Sequence, residues 1–312
     1  MAYRFKPDEA AFEGIRRIAI EQIGKAAKTL EQEEDRHRAI HHARKRLKRI
    51  RALLRLARGD LGRTAYRREN AWFRDIQREL SAVRDATVLV ATLDGLVRHY
   101  ADPLIERPFD AARQTLVARC RDMEAAHLGD PRIIGAAVEQ LRGSCDRVAE
   151  WPLRRAGFDT LRPGLKRIYR GGARRFAKAM AEPSAATFHD WRKDAKYLFH
   201  HLHLLGPLWP GPICALAEEL DRLADMLGDD HDLAVLEQTV TAEPDAFGGE
   251  TETAALLALI GRRRAELQAA VRPMGLRLYA EPAGVFLDRL ERWWKVWRND
   301  ARNGAGHRLA AE

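Results

Sequence analysis

Cysteine is scarce in this chain of 312 residues: only Cys120, Cys145 and Cys214 occur. The set is odd in number and holds no CxxC spacing, which argues against a disulfide framework and against a zinc ribbon. Long apolar runs are missing as well. The longest, Ala254 to Ile260, is far short of the ~20 residues of a membrane span. The first residues, Met1-Ala-Tyr-Arg-Phe-Lys-Pro-Asp-Glu, contain no apolar h-region. No signal peptide is therefore expected, and the default expectation is a soluble cytoplasmic protein. No stretch alternates β-branched with polar residues as a half-buried strand does. Walker A, GxGxxG, HExxH and GxSxG patterns are all absent.

What is present is apolar, charged and helix-forming. Hydrophobic residues make up 46%, enough for a sizeable core and too many for a disordered chain. Lys plus Arg number 54 against 45 Asp plus Glu, so the formal net charge is +9 and an anionic partner is expected. The length suits about two domains or one large one. Apolar residues recur at three- and four-residue spacing throughout, and Ala, Leu, Arg and Glu dominate. Pro and Gly clusters punctuate this pattern at Gly59 to Gly62, Asp102-Pro103, Gly129-Asp130-Pro131, Trp151-Pro152, Glu182-Pro183, Gly206 to Pro212 and Glu243 to Gly249. They cut the chain into about twelve helices.

The chain also resembles itself at a shift of about 150 residues. Gly14-Ile-Arg-Arg-Ile matches Gly164-Leu-Lys-Arg-Ile. Ile40-His-His-Ala-Arg-Lys-Arg-Leu-Lys matches Phe188-His-Asp-Trp-Arg-Lys-Asp-Ala-Lys. Arg84-Asp-Ala-Thr-Val-Leu matches His231-Asp-Leu-Ala-Val-Leu. The order is kept. The expected fold is all-α: two helical bundles from an internal duplication, residues 1–150 and 157–312, related by a pseudo-twofold axis.

One helical face carries most of the functional signal. On a helix over 37–58, Ala43, Leu47, Ile50 and Leu54 share one side, with Ile40 at its edge. His41, Arg44, Lys45, Lys48, Arg51 and Arg55 share a neighbouring side, and this stripe runs about 21 Å along the axis. The second copy repeats the arrangement. Trp191, Ala195, Leu198 and Leu202 are its apolar side; His189, Arg192, Lys193, Lys196 and His203 are its basic side. Both helices thus read HxxRKxxK. The plain alternative is a solvated charged face. Two facts count against it. Arg36 to Arg68 holds thirteen Lys or Arg and a single acid, Asp60, although like charges at i,i+4 destabilise a helix. The pattern also recurs at the equivalent place. Arg167, Arg170, Arg174 and Lys178 add a basic face on the first helix of the second half, with Arg175 nearby; Arg17, Lys25 and Lys28 are its sparser counterparts, and Arg84 adds one more cation.

Arg offers forked donors matched to phosphate oxygens, and Lys offers mobile point charges. Histidines within such a stripe suit an anion site, because bound phosphate raises their pKa. The ligand is expected to be as elongated as the stripes. Nucleic acid is a candidate without its usual tools: the stripe carries no stacking aromatics, and no helix-turn-helix, zinc finger or RNP-type strand is seen. A polyanion without bases fits better.

The two HxxRKxxK segments, His41-Arg44-Lys45-Lys48 and His189-Arg192-Lys193-Lys196, resemble those of the CHAD family, the conserved-histidine α-helical domain. Arg84-Asp85-Ala-Thr-Val88-Leu89 and Leu227-Gly228-Asp-Asp-His-Asp232-Leu233 resemble that family's second signature. The resemblance spans roughly 8–300. It implies two pseudo-twofold-related bundles with a basic central groove or pore, binding of long-chain inorganic polyphosphate, and residence at polyphosphate granules beside other granule-associated proteins. It further implies that His41, Arg44, Lys45, Lys48, His189, Arg192, Lys193 and Lys196 contact phosphate, with Arg51 and Arg55 extending the first wall. The flanking cations Arg167, Arg170 and Arg174 are candidates for the same ligand. Two positions depart from the family pattern. Phe199 stands where a cation matching Arg51 is common, and Thr87 occupies an acidic position. One half is therefore expected to grip more weakly. No run of strands supplies the CYTH domain that some relatives carry.

Other clusters read as structural. Leu227 is expected to end a helix, with Gly228 just past its end and Asp229 or Asp230 capping the next, so that Asp225, Asp229, Asp230 and Asp232 are not read as a metal cluster. Asp85 and Asp232 are expected to orient cations or caps. The pair His37 and His41 sits among cations, and His200, His201 and His203 have no carboxylate within a turn; neither set is expected to bind zinc. The basic helices are read as free of an acid placed to act as a base or to hold Mg²⁺, which disfavours phosphoryl-transfer chemistry. No enzyme activity, metal or cofactor is expected. A nucleic-acid-binding helical protein and a phosphate-processing enzyme are the alternatives.

Overall fold

The computed structural model describes residues 3–80, 82–100, 109–127 and 131–309, the side chains of 82–86, 124–127, 131 and 304–309 excepted, and every regular element among them is helical. In chain order these are α1 (Ala11–Gln32), α2 (Arg36–Leu56), α3 (Arg58–Leu61), α4 (Arg63–Glu79), α5 (Ala82–His99), α6 (Asp110–His127), α7 (Pro131–Arg142), α8 (Ser144–Ala149), α9 (Arg162–Ala181), α10 (Ala185–Leu205), α11 (Pro210–Ala242), α12 (Gly249–Leu278) and α13 (Ala283–Leu309). Short 3₁₀ turns precede α9, α11 and α12. Among the described residues no helix is long and apolar enough to cross a membrane.

Helix starts follow local chemistry. The Asp35 carboxylate accepts from the backbone N–H groups of His37 and Arg38 at 2.9 and 3.1 Å, so an acid caps the end of α2 where the helix dipole favours one. Before α10, the Ser184 hydroxyl accepts from the Thr187 N–H and the Thr187 hydroxyl accepts from the Ser184 N–H. Both apolar stripes are buried as their spacing requires: Ala43, Leu47, Ile50 and Leu54 on α2, and Trp191, Ala195, Leu198 and Leu202 on α10.

Helix α2 is the central strut, packed by α1, α4, α9 and α10. Its approach to α9 is set by Gly164, where an added Cβ would collide with the main-chain carbonyls of Arg55 and Leu56. Its crossing with α10 is fastened by the buried His201, whose Nε2 lies 2.8 Å from the Ala52 carbonyl oxygen and donates to it. The other ring nitrogen, Nδ1, is buried without a partner.

The core has two parts. The larger joins residues such as Ile15, Leu47, Phe73, Leu141, Leu165, Trp191, Leu223 and Leu290 from α1, α2, α4, α7, α9, α10, α11 and α13. The smaller packs Leu93 and Leu96 of α5 and Leu116 of α6 against Leu236 and Val240 of α11 and Leu256 and Ile260 of α12. Each such side chain contributes about 1.5–3 kcal/mol on burial. Helices α5 and α6 therefore rest on α11 and α12 rather than on α1 or α2. Glu266 of α12 reinforces this seam. It accepts from the Tyr100 hydroxyl at 2.9 Å and from Arg263 at 3.1 Å, with His99 at 3.1 Å. Together these hold its carboxyl far down, at about 2, the Tyr100 hydrogen bond contributing most.

One expected helix end is overturned. Leu227 does not end a helix, Gly228 is not a C′ residue, and neither Asp229 nor Asp230 is a cap: α11 runs unbroken through all of them. Gly228 serves side-chain packing instead. An added Cβ there would lie 3.1 Å from the Arg192 Nη2 of α10. Asp230 is buried, accepting from Arg264 Nε at 3.2 Å and Gln268 Nε2 at 2.8 Å. Further breaks fall between α4 and α5, which no Gly or Pro cluster announces, and between α12 and α13, where Pro282 and Gly284 mark the junction. Those read at Asp102-Pro103 and Gly129-Asp130 lie outside the described residues.

Two outcomes follow. Gly164→Ala forces α9 off the α2 carbonyls and is expected to cost about 1–3 kcal/mol, seen as a lower denaturant midpoint with an unchanged slope. Burial pushes the His201 pKa down to about 4 in the fold, against 6.5 for a free imidazole. Between those values the unfolded chain holds more protons, so stability is full above pH 6.5 and drains away as pH falls toward 4, by on the order of 3 kcal/mol. His201→Gln keeps a donor for Ala52 and cannot titrate. Its melting temperature is expected to fall less steeply over that window than the parent's. An equal slope would rule out His201 as the acid-sensitive group.

Candidate anion-binding site

The basic face of α2 lies between α4 on one side and α9 and α10 on the other. Its guanidiniums are held by neutral partners. Arg55 Nη1 donates to Asn70 Oδ1 at 2.8 Å, and its Cζ sits 3.9 Å from the centroid of the Tyr197 ring. Arg51 donates to Gln77 Oε1 at 3.1 Å and to Asn70 Oδ1 at 3.4 Å. Arg58, at the start of α3, lies over the Tyr66 ring at 4.5 Å. These contacts orient the forks without cancelling their charge.

The positive charge is crowded. Burial, then the nearby Arg55 and Arg74, push the Arg51 pKa below its ordinary value, against the opposing influence of Tyr197 and Tyr66. Burial, then Arg167, Arg67 and Arg55, do the same to Arg58. Among the described residues no carboxylate is ion-paired with Lys45, Arg51, Arg55, Arg58, Arg67, Arg167, Arg170 or Arg174. Lys166, Arg167, Arg170 and Arg174 line an open cleft of about 430 Å³ on α9. A bound anion would relieve this repulsion directly.

The second basic helix is organised differently. Lys193 Nζ pairs with Asp190 at 2.9 Å. Lys196 Nζ pairs with Asp221 at 2.5 Å and Asp225 at 3.2 Å, both on α11. Arg175 of α9 pairs with the buried Asp194. Burial raises the Asp194 pKa against the pull of Arg175. Asp190 and Asp194 therefore correct the reading of this helix as free of useful acids; each is engaged with a cation. The His189 ring stacks 3.9 Å from that of His231. Burial, then His231, Lys193 and Arg192, push the His189 pKa down to about 4.

The residues expected to contact ligand fall into three groups. Lys45, Arg167, Arg170, Arg174 and Lys193 are exposed; His41, Lys48, Arg51, Arg55, His189, Arg192 and Lys196 are half-buried. Arg44 is buried, its Nη1 donating to the Gln77 carbonyl at 3.2 Å, so it anchors α2 to α4. His189 and Arg192 turn toward α11, against His231 and Gly228. The two basic helices meet around the buried His200, whose pKa is pushed well down by burial and by Lys196, Arg49, His201 and Lys48. Arg17 is occupied by Glu9 at 2.6 Å and Glu21 at 3.0 Å. Arg84 and Asp85 have side chains outside the described residues.

Sequence reasoning missed the α4 wall. Arg67, Asn70, Arg74 and Gln77 recur at three-, four- and three-residue spacing along one helical face, a polar stripe whose periodicity was the available signal. It also missed the aromatics. Tyr66 and Tyr197 correct the reading of a stripe without rings, although each ring lies beneath a guanidinium and presents no open platform for a base.

Comparison with known proteins bears on the family and the fold. The family model described as CHAD domain matches residues 17–241. The crystal structure of the CHAD domain from the plant Ricinus communis is 21% identical, with 91% of this chain and 96% of that chain covered at a TM-score of 0.54, which shows a shared fold. No curated protein matches. The chain belongs to the CHAD family.

Proposed function

We propose that this CHAD-family chain is a non-enzymatic module that binds long-chain inorganic polyphosphate along α2. The observation that carries the reading is that Arg51 and Arg55 of α2 and Arg58 of α3 are held by neutral amides and tyrosine rings in place of acids. Lys45, Lys48, Arg51 and Arg55 form the floor, Arg58 and Arg67 continue it, and Arg167, Arg170 and Arg174 extend it along α9. His41 lies at the start of the stripe. A linear chain of phosphates matches an elongated row of forked donors, and its charge repays the repulsion between them. Nucleic acid fits less well, because the rings at this face are covered. A catalytic reading has less support: the carboxylates nearest the cations are engaged with them, and among the described residues no group of three or more His, Cys, Asp or Glu side chains is placed to hold a metal ion. Recruitment to polyphosphate granules, beside other granule proteins, is the cellular role this binding would serve.

In a competition titration at fixed salt, long-chain polyphosphate is expected to displace single- or double-stranded nucleic acid with at least about tenfold preference, or roughly 1.4 kcal/mol. No orthophosphate is expected above a heat-killed control when Mg²⁺ or Mn²⁺ is added. Equal or better nucleic-acid binding would overturn the reading, and phosphate release would make the protein an enzyme. Asn70→Asp places a carboxylate between Arg51 and Arg55. Folding is expected to hold or improve, while polyphosphate affinity falls about tenfold and its dependence on log salt flattens, because one unit of the positive charge shared by the two arginines is already neutralised. A thermal melt beside a fluorescence titration at three salt concentrations measures both.

A further inference from the structure

The two HxxRKxxK helices are equal in sequence pattern and unequal in electrostatics. On α2, Lys45, Arg51 and Arg55 have no ion-paired carboxylate among the described residues. On α10, Lys196 is held by two carboxylates that α11 presents one turn apart, Asp221 and Asp225. One ammonium and two carboxylates leave that spot with a net negative charge. Lys196 Nζ also lies 4.9 Å from the centroid of Phe199, the residue that stands where α2 has Arg51.

We propose that Asp221 and Asp225 mask the second basic helix, so that polyphosphate is gripped from the α2 side alone and Lys196 contributes little to affinity. The proposal rests on the polyphosphate reading above and adds to it which copy of the pattern works. A phosphate reaching Lys196 must displace a doubly held partner and meets an acidic surround. A cation already neutralised by protein carboxylates displaces few of the counter-cations condensed on the phosphate chain, so its engagement changes the ion balance of binding little. The pairs are partly exposed, with side-chain accessibilities of 33% for Lys196, 39% for Asp221 and 70% for Asp225. Exposed pairs are weak enough for removal of the acids to free the lysine without unfolding the chain.

Titration of the parent and five variants with long-chain polyphosphate at three salt concentrations tests this. Lys196→Ala alone is expected to change affinity by less than about twofold, whereas Lys45→Ala on α2 weakens it by about fivefold. Asp221→Asn with Asp225→Asn is expected to tighten binding about fivefold and to steepen the salt dependence by about one ion. Adding Lys196→Ala to that pair is expected to abolish the gain. Asp245→Asn with Glu250→Gln removes two exposed acids beyond the end of α11, one in the 3₁₀ turn and one at the start of α12, and controls for net charge; it is expected to give a smaller gain that does not depend on Lys196. Should the masking pair destabilise the fold in a thermal melt, the more exposed Asp225→Asn alone carries the comparison. A Lys196→Ala loss equal to that of Lys45→Ala, or a gain no larger than the control's, overturns the masking proposal while leaving polyphosphate binding intact. No polyphosphate binding by the parent protein overturns both.

Discussion

Like-charge repulsion along α2 is the constraint around which the rest of the molecule is arranged. A helix with so many cations and one acidic cap would be a poor helix in isolation, because neighbours at i,i+4 repel. Its opposite side supplies the compensation. Ala43, Leu47, Ile50 and Leu54 are buried, four helices pack on them, and the main chain itself is gripped at two points, by Gly164 from α9 and by His201 from α10. Tertiary packing therefore overrides an unfavourable local sequence, and the charged face is held rigid because its other face is core.

The protein absorbs that repulsion in two chemically different ways. Around α2 it uses Asn70, Gln77, Tyr66 and Tyr197, groups that accept hydrogen bonds or offer a ring face and leave the guanidinium charge in place. Around α10 it uses Asp190, Asp194, Asp221 and Asp225, which cancel charge. Carboxylates would have stabilised both copies more simply. Amides at α2 leave more of the positive field in place, although Asp194 of α10 still acts electrostatically on Arg55.

Much of this was readable in the sequence, and what was not has physical causes. The helical class followed from apolar spacing, and both buried stripes came out at the residues their periodicity named. The two basic faces followed from the same arithmetic. Helix ends were less secure. Gly228 resembles a C′ glycine locally, yet its hydrogen replaces a side chain so that Arg192 can approach, which is a tertiary fact invisible to a window of neighbours. The partners of the cations were hidden for a similar reason: Asn70 and Gln77 lie on another helix from Arg51 and Arg55, and Asp221 and Asp225 lie on another helix from Lys196. Charge pattern on one helix states which groups need partners; only the packing of helices states what they receive.

That distinction decides how the repeated pattern should be interpreted. Two helices with the same His, Arg and Lys spacing suggest two equal walls, and the sequence signs that they differ are Phe199 and the aspartates Asp190 and Asp194, which stand where the first copy has His42 and Arg46. Packing enlarges that sign. Arg44, in the first copy, is spent on the α4 carbonyl of Gln77, and Arg192, its counterpart, is packed against Gly228 of α11. The arginine of each copy thus joins its helix to a neighbour. Of the remaining positions, α2 has Lys45, Lys48, Arg51 and Arg55; α10 has Lys193, paired with Asp190, Lys196, paired with α11, and Phe199, which has no charge. A shared spacing therefore preserves the packing role in both helices, while the charge that their neighbours leave in place differs between them.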